Sequence, residues 1–202
     1  MLANVRAMKI LLYDFPGSIC CQMTRLTLAE KGVSYERQTV DIMAAAEQFE
    51  PWYTALNPKA VVPTLAIDGE IVTDTFRIVH RIDKEFEGPS LTPASAEGAK
   101  AMNQMMADIM GLHYGVLLYS RRLDADGKAP TVIARGEFLR EQLRKYPERA
   151  EILDRRIAGN EKMQKILAEP AEVERHVGKA RALVSQIDRG LAKTHFVSAD
   201  HY

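Results

Sequence analysis

The alternation of apolar and polar positions divides the first half of the chain into short elements, beginning with the stretch from Leu12 to Gly32. A run of apolar residues from Ile10 to Tyr13 predicts a short buried strand that ends at Asp14. The chain then turns at Pro16-Gly17 and enters a helical period. Its predicted buried face contains Leu26, Leu28 and Ala29. The helix is predicted to end at Gly32, which is its C-terminal stop.

Ser18, Cys20 and Cys21 stand at the beginning of this first helix. The unpaired amides of a helix N-terminus and the positive end of its dipole favour an anion, including a thiolate. A sulfur at this place is therefore expected to ionise more easily than an ordinary thiol. The chain has only these 2 cysteines. Because a disulfide between neighbours is strained and closes no useful loop, the pair favours a reducing compartment.

A second strand, an irregular helix and a hairpin are predicted next. Tyr35 to Val40 alternates like a strand with one buried side, and Ala44 to Leu56 has an irregular helical pattern. Thr64 to Ile67 and Glu70 to Val72 are short β-rich runs. They are joined by Asp68-Gly69, a dipeptide that favours a type I′ hairpin turn.

From Asp74 the period becomes helical again, with Asp74 and Thr75 placed to cap the helix. Ile78, Val79 and Ile82 share one face of this helix. The predicted order is therefore strand, helix, strand, helix, hairpin, helix. This order indicates a mixed sheet with helices on its faces, which is a complete small α/β layer structure.

A stretch rich in Gly, Pro and Ser at residues 87–96 predicts a linker. It separates an α/β domain over residues 1–86 from a domain over residues 97–202 in which no strand pattern occurs. The second domain is therefore predicted to be all-helical. Its helically spaced segments are 102–117, Ile133 to Tyr146, Ile152 to Leu167 and Val173 to Leu191.

Composition excludes several classes of function. The 202 residues carry 27 basic and 27 acidic side chains without a basic block, so nothing favours nucleic acid or an anionic membrane as a partner. No apolar run approaches the roughly 18 to 20 residues of a membrane span, and the N-terminus MLANVRAM lacks the apolar core of a signal peptide. These features predict a soluble, cytoplasmic protein. His80, His176, His195 and His201 show no metal-ligand spacing, so no metal is expected.

Three stretches carry a resemblance to a known family: SICCQMTRLTLAEKGVSYE, VDIMAAAEQFEPWYTALNPKAVVPTL and IVTDTFRIV. The chain resembles the cytosolic glutathione transferase superfamily, and within it most of all the tetrachlorohydroquinone reductive dehalogenases and their zeta-class relatives. The resemblance implies a thioredoxin-like N-terminal domain followed by an all-α domain. The chain departs from the family pattern in its second cysteine, in Thr75 where serine is usual, and in ending at HFVSADHY, where relatives continue with further helices. The helical domain is therefore expected to be short or incomplete at its C-terminal end.

The resemblance implies that Ser18 donates a hydrogen bond to the sulfur of glutathione and holds it as a thiolate. Tyr13 is the competing hydroxyl, because other classes use a tyrosine from this strand. For Cys20 two roles stay open: attack on the sulfur of a glutathionyl conjugate to form a mixed disulfide, or packing against glutathione as in the isomerases. Cys21 is expected to face the core or to be inert.

The resemblance also implies how the tripeptide is held. Pro63 is expected to follow a cis peptide bond, which exposes the backbone of Val62 for pairing with the cysteinyl unit. Asp74 and Thr75 suit the γ-glutamyl group, and plain helix capping is the alternative. Lys59 is a candidate for the glycyl carboxylate, and a solvated lysine is the alternative.

The helical domain carries candidates for the electrophile pocket, each beside a simpler reading. Met102, Met105, Met106 and Met110 form a stripe with His113 and Tyr114, which is expected to be core first and a soft pocket wall second. Arg121 and Arg122 could neutralise an acidic substrate, although surface charge is the first expectation.

The resemblance thus implies a glutathione-dependent enzyme that acts on a small electrophilic and ring-containing substrate, and it implies a homodimer. Reductive dehalogenation through a mixed disulfide is the first expectation for its chemistry. Zeta-like isomerisation and simple conjugation are alternatives, and a non-catalytic protein that binds glutathione or another ligand is the alternative from a different class.

Overall fold

The structure is a computed structural model, and it describes residues 8–193. The chain divides into two compact units, the first ending at Leu91 and the second beginning at Thr92. The predictions that concern His195, His201 and the C-terminal HFVSADHY lie outside the described residues.

The N-terminal unit contains a four-stranded mixed sheet. Its strands are β1 (Ile10–Asp14), β2 (Glu36–Thr39), β3 (Thr64–Ile67) and β4 (Glu70–Thr73), in the order β2-β1-β3-β4. β2 is parallel to β1, whereas β3 is antiparallel to both β1 and β4. The predicted mixed sheet is therefore confirmed.

Three helices accompany the sheet: α1 (Ile19–Glu30), α2 (Pro51–Leu56) and α3 (Thr75–Glu85). The predicted order of elements is confirmed, and the irregular helix before β3 consists of the 3-10 turn Glu47–Phe49 and the short α2. At the hairpin, Asp68 and Gly69 have φ values of 48° and 89°. Positive φ at both central residues is what a type I′ turn requires, which confirms that prediction.

The core of this unit lies between the sheet, α1 and α3. The fully buried members are Leu12 and Leu65 from the sheet, Leu28 from α1, and Ile78 and Ile82 from α3. Burial of each such side chain contributes about 1.5–3 kcal/mol to the free energy of folding. The predicted buried face of α3 is confirmed.

Two predicted faces are wrong. In α1, Leu26 is 61% exposed and Ala29 is exposed, because the buried row is Cys21, Thr24 and Leu28. Thr24 enters that row because its hydroxyl donates to the Cys20 carbonyl at 3.3 Å, which satisfies the buried polar group. All four residues of β2 are exposed, since β2 is an edge strand that pairs with β1 alone.

In the described part of the second unit every regular element is helical, as predicted. Its helices are α4 (Ala96–Met110), α5 (Tyr114–Tyr119), α6 (Pro130–Lys145), α7 (Ala150–Leu167) and α8 (Pro170–Leu191), with 3-10 turns at Ser120–Arg122 and Pro147–Arg149. The prediction that His113 continues the methionine-rich helix is wrong. That helix stops at Met110, and the Nδ1 atom of His113 accepts from the Val116 N–H at 3.3 Å, which caps α5.

α6 and α7 pack closely in the second unit. The Asn160 side chain donates to the Val132 carbonyl at 2.9 Å, and Gln164 donates to the Asn160 Oδ1 atom at 2.6 Å. Gly136 leaves room for this pair, because a Cβ atom there would lie 2.6 Å from the Asn160 Oδ1 atom. The close approach therefore depends on a residue without a side chain.

Candidate functional site

Ser18 links the end of β1 to the beginning of α1. It is the N-cap of α1, and its Oγ atom accepts from the Cys21 N–H at 3.3 Å. A hydroxyl that accepts a hydrogen bond still has its own proton to donate. Ser18 therefore stabilises the helix and keeps a donor for an acceptor placed at the helix N-terminus.

Cys20 and Cys21 occupy the same helical turn but differ in exposure. Cys20 is half-buried, whereas Cys21 is fully buried in a cluster with Val40, Tyr53 and Val62. The prediction that Cys21 faces the core is confirmed. Cys20 is consequently the thiol that a small reactant can reach.

The Cys21 thiol does not ionise more easily than an ordinary thiol. Burial raises its pKa to about 11, although the hydrogen bonds with Ser18 and the Phe15 N–H act in the opposite direction. The expectation of easier ionisation at this helix start is therefore wrong for Cys21, because removal of the sulfur from water outweighs the helix N-terminus.

Ion pairs to a buried carboxylate support the turn that leads into α1. Asp14, at the end of β1, has a side chain that is only 1% exposed and accepts from Arg25 at 2.5 Å and from Arg37. Arg25 also donates to the Pro16 carbonyl at 3.2 Å, which fixes the turn before Ser18. Sequence reasoning missed this cluster, and its only trace is an acidic residue that closes an apolar run.

The predicted cis peptide bond between Val62 and Pro63 is confirmed, and it directly precedes β3. Within residues 8–193, neither the N–H nor the C=O group of Val62 makes a hydrogen bond. An unpaired donor and acceptor beside a sheet can accept an extended peptide as a further short strand. The geometry of Val62 therefore suits a peptide ligand.

Buried polar side chains hold the loop before Pro63. The Val61 carbonyl accepts from the Tyr53 hydroxyl at 2.6 Å and from Asn57 at 2.9 Å. Both side chains also contact the Thr64 hydroxyl, at 3.0 and 3.1 Å. Burial raises the pKa of Tyr53 to about 12, so its hydroxyl keeps its proton and can donate. Sequence reasoning did not identify Tyr53, Asn57 or Thr64.

Asp74 and Thr75 form the beginning of α3. Asp74 is the N-cap, with φ at 78°, and its carboxylate accepts from the Phe76 and Arg77 N–H groups at 3.1 and 3.3 Å. Thr75 is 5% exposed, and its N–H and hydroxyl have no partner within the described residues. This helix start therefore offers hydrogen-bond donors to an anion.

The register of the sheet brings these groups to the same end of the sheet. Tyr13 of β1 lies opposite Thr64 of β3, and Thr64 lies opposite Thr73 of β4. The turn to Ser18 leaves β1 here, Val62 and Pro63 enter β3 here, and Asp74 and Thr75 follow β4 here. Three short loops thus lie at the same end of the sheet, with unpaired donors and one accessible thiol.

Other predicted residues are less clearly placed. Lys59 is exposed, and its backbone N–H donates to the Asn57 Oδ1 atom at 3.1 Å. Tyr13 is half-buried, and its ring lies 6.3 Å from Trp52 and 6.1 Å from Tyr53. The residues of the stripe on α4, Met102, Met105, Met106 and Met110, are all half-buried, so none is fully enclosed core.

No helix within residues 8–193 combines the length and apolar character needed to cross a bilayer. In the same residues, no group of three or more His, Cys, Asp or Glu side chains is arranged to hold a metal ion.

Comparison with curated proteins relates the chain to enzymes. The tetrachloro-p-hydroquinone reductive dehalogenase of Sphingobium chlorophenolicum is 37% identical over 140 residues, which are 69% of this chain and 55% of that protein. A probable maleylacetoacetate isomerase of Caenorhabditis elegans is 33% identical over 85 residues, which are 42% of this chain and 39% of the relative. The chain thus spans 55% or less of the length of these relatives.

Structural and family comparisons agree with this relation. The crystal structure of the β-etherase LigF from Sphingobium sp. strain SYK-6 matches 96% of this chain and 78% of its own, with a TM-score of 0.70 and 19% identity, which establishes likeness of fold. A family model described as the glutathione S-transferase N-terminal domain matches residues 17–85. Residues 17–85 thus match such a domain, and the chain is similar to proteins of the glutathione S-transferase superfamily.

Proposed function

We propose that the protein binds glutathione at the end of the sheet where the loops with Ser18, Val62 and Thr75 lie. We propose further that it uses the glutathione thiolate on a small electrophile. Val62 offers a donor and an acceptor to the cysteinyl unit, and the start of α3 offers donors to the γ-glutamyl carboxylate. Asp74 accepts from the γ-glutamyl ammonium, and Lys59 pairs with the glycyl carboxylate. In this proposal residues 1–86 hold glutathione, residues 87–96 form the linker, and residues 97–202 recognise the electrophile.

The observation that carries this proposal is the hydrogen bonding of Ser18. Its oxygen caps α1 by accepting from Cys21, so its proton remains free for the sulfur of glutathione. A hydrogen bond to the charged form favours that form and lowers the pKa of the bound thiol. The nearby helix N-terminus acts in the same direction.

The role of Ser18 is tested by ultraviolet titration of the bound glutathione thiolate. Ser18→Ala removes the donor, and Ser18→Asp removes the donor but retains a side chain that can cap α1. Both variants are expected to raise the pKa of bound glutathione by about 1 or more, while exposed Ser34→Ala leaves it unchanged. An unchanged pKa in Ser18→Asp would show that Ser18 serves as a helix cap alone.

For the chemical step we propose reductive dehalogenation through Cys20. Glutathione first displaces halide from the ring, which leaves a glutathionyl conjugate. The Cys20 thiolate attacks the sulfur of this conjugate, so the ring-sulfur bond breaks and the ring takes a proton. The Cys20-glutathione disulfide that forms is resolved by a second glutathione, which releases oxidised glutathione and restores the thiol. The half-buried position of Cys20 supports this role.

A single turnover with a chlorinated hydroquinone tests this step. Cys20→Ser is expected to accumulate the glutathionyl conjugate without reduced product, and mass spectrometry distinguishes the two. Cys21→Ala is the matched control and is expected to release reduced product, because Cys21 is buried. Release of reduced product by Cys20→Ser at the normal rate would remove Cys20 from the mechanism.

A second candidate function is isomerisation of a maleyl-type diketone by reversible addition of glutathione. The similarity to the isomerase of Caenorhabditis elegans favours it. Cys20 then packs against glutathione and forms no disulfide, so Cys20→Ser is expected to retain activity on the diketone. If neither a chlorinated hydroquinone nor the diketone is converted while glutathione binds tightly, the protein acts as a glutathione or ligand carrier.

We also propose that the protein is a homodimer in the cytoplasm, on the basis of its resemblance to the superfamily. Both cysteines are free thiols, which suits a reducing compartment. Analytical ultracentrifugation of the full chain is expected to give twice the 22.6 kDa mass of the chain. A monomeric mass at micromolar concentration would contradict the dimer.

A further inference from the structure

Two histidines from different helices of the second unit lie against each other at the start of α5. His113 directly precedes α5, and the centre of its ring lies 5.3 Å from that of His176 on α8, with the two ring planes at 75°. Both side chains are half-buried. Because an unperturbed histidine changes its charge near pH 6.5, such a pair can respond to a moderate change in pH.

The hydrogen bond of His113 defines which of its ring nitrogens carries the proton. Its Nδ1 atom accepts from the Val116 N–H at 3.3 Å, so the proton of the neutral ring must be on Nε2. Protonation of Nδ1 would place two N–H donors against each other and would remove the cap of α5. Val116 is fully buried in a core cluster with Ala129, Val132 and Leu167. The neutral form of His113 therefore keeps a core residue in place.

The contact of His176 with Arg175 defines its neutral form in the same way. The Arg175 Nη2 atom lies 3.2 Å from the His176 Nε2 atom. A guanidinium group can only donate, so Nε2 accepts and the proton of the neutral ring is on Nδ1. A proton added to Nε2 would break this hydrogen bond. Each of the two rings thus already uses its one acceptor nitrogen, and neither has another for a second proton.

The charges that face the pair also disfavour a second proton. Partial burial lowers the pKa of His176 below its ordinary value of 6.5. Arg175, the ring of His113 and Lys179 lower this pKa further. Glu172 acts in the opposite direction, but its carboxylate already pairs with Arg175 at 2.7 Å. The pair is therefore held in its neutral form by positive charge on α8.

α7 contributes an uncharged side chain beside the first ring. A Cβ atom on Gly115 would lie 2.6 Å from the Met163 Cε atom and 3.6 Å from the His113 Cε1 atom. The Met163 side chain thus fills the space next to the start of α5. A thioether cannot balance the charge of an imidazolium, so this neighbour does not favour protonation of His113.

We propose that His113 and His176 form an acid-sensitive contact, which holds the start of α5 against α8 only while both rings are neutral. A proton on His113 removes the cap of α5, and a proton on His176 breaks the hydrogen bond from Arg175. Two charged rings also repel each other. The first turn of α5 then opens and separates from α8. The inference concerns the helical unit alone and does not depend on the proposed use of glutathione.

The direction of the pH dependence follows from linkage. The pKa of His176 in the folded protein lies below that of the unfolded chain. Its stabilising contact is therefore complete above the unfolded value near 6.5, and it is lost as the pH falls through the folded value. Acidification, and not a rise in pH, is expected to open the start of α5.

Hydrogen–deuterium exchange of the full chain at pH 7.5 and at pH 5.5 tests the proposal, with rates corrected for the intrinsic pH dependence of amide exchange. Peptides that contain the start of α5 are expected to lose about 5-fold or more of their protection at pH 5.5. Peptides from β1 and β3 are expected to keep theirs. Equal protection of α5 at the two pH values overturns the proposal.

Three variants assign the response to the pair. His113→Asn retains a side chain that can cap α5 but does not titrate, so protection is expected to be the same at both pH values. His176→Gln is expected to reduce the response. His80→Gln is the matched control, because His80 is also half-buried and lies 5.0 Å from an aromatic ring, that of Phe76. A full response in His113→Asn or His176→Gln, or its loss in His80→Gln, overturns the proposal.

¹⁵N NMR of protein labelled at histidine determines the two neutral forms directly at pH 7.5. The proton is expected on Nε2 of His113 and on Nδ1 of His176, and the spectra of the two variants assign the signals. Circular dichroism at pH 7.5 confirms that each variant is folded. A proton on Nδ1 of His113 would mean that the ring does not cap α5, and the proposal would then fail.

Discussion

Cys20 and Cys21 are consecutive residues of α1, yet they differ in how accessible they are to a reagent in solution. Cys21 is fully buried and its pKa is raised to about 11, so about 0.1% of it is thiolate at pH 8 even without steric protection. We expect iodoacetamide at pH 8 to alkylate Cys20 in the native protein and to leave Cys21 unmodified until the protein is unfolded in urea. Mass spectrometry of the intact protein counts the modified thiols.

Single-cysteine variants separate the two sites. Cys21→Ala is expected to incorporate one label at the wild-type rate, whereas Cys20→Ser is expected to incorporate none under native conditions. Rapid native labelling of Cys20→Ser would mean that the start of α1 opens readily, and the assignment of Cys21 to the core would then fail.

Asp14 is a second residue whose contribution to stability depends on its surroundings. Its carboxylate is almost fully buried between Arg25 and Arg37, and removal of one partner leaves a buried charge less well compensated. We expect Arg25→Gln to lower the free energy of unfolding by about 2 kcal/mol. Urea denaturation provides the measurement.

Arg81→Gln is the matched control for Arg25→Gln. Arg81 pairs with Glu70 at 2.7 Å and with Glu85, but these two glutamate side chains are 60% and 33% exposed, so water replaces the lost partner. The control is expected to cost clearly less stability. If both variants lose the same free energy, burial of Asp14 does not determine the strength of its ion pairs.

Among the helices, the contact between α6 and α7 restricts which residue can stand at position 136. A Cβ atom on Gly136 would lie 2.6 Å from the Asn160 Oδ1 atom, whereas a Cβ atom on Gly159 of α7 would have no neighbour within 4 Å. We expect Gly136→Ala to destabilise the protein by about 1–3 kcal/mol, because Asn160 must move and its bond to Val132 is weakened. Chemical denaturation of both variants checks this.

Gly159→Ala is the control for the same substitution in an exposed helix. It is expected to stabilise the protein by up to about 1 kcal/mol, because alanine has less conformational freedom to lose than glycine. A stabilising effect of similar size in Gly136→Ala would show that α6 and α7 are not held as closely as the contact with Asn160 indicates.

How much of the fold could be predicted from the sequence differs from element to element. Elements bounded by strong local signals were predicted well, as at Asp68-Gly69 and at Asp74, because turn and cap geometry depend on neighbouring residues. The face of α1 was predicted wrongly because Thr24 satisfies its hydroxyl within the helix and is buried in place of Leu26. The burial of β2 was predicted wrongly because a sequence does not reveal which strand lies at the edge.

The candidate site likewise contains residues that the sequence predicts and residues that it does not. Ser18 as a helix cap and the cis bond before Pro63 followed from local motifs and from resemblance. The ion cluster of Asp14 and the support of the Val61 carbonyl by Tyr53 and Asn57 depend on contacts between separate elements. No spacing in the sequence distinguishes such residues from other polar positions, so they became visible in the structure alone.

For the whole molecule, the groups proposed for glutathione all belong to the compact unit that ends at Leu91. A ligand that binds the folded state alone stabilises it by about 2.7 kcal/mol when its concentration is 100 times its dissociation constant. Glutathione should therefore protect backbone amides most strongly in the first unit.

Hydrogen–deuterium exchange of the full chain measures this protection. Glutathione is expected to slow exchange most in peptides that contain the start of α1, the Val62-Pro63 loop and the start of α3, because it pairs with amides there. If glutathione protects no peptide of the first unit, the proposed site at this end of the sheet is wrong, because binding there must restrain these amides.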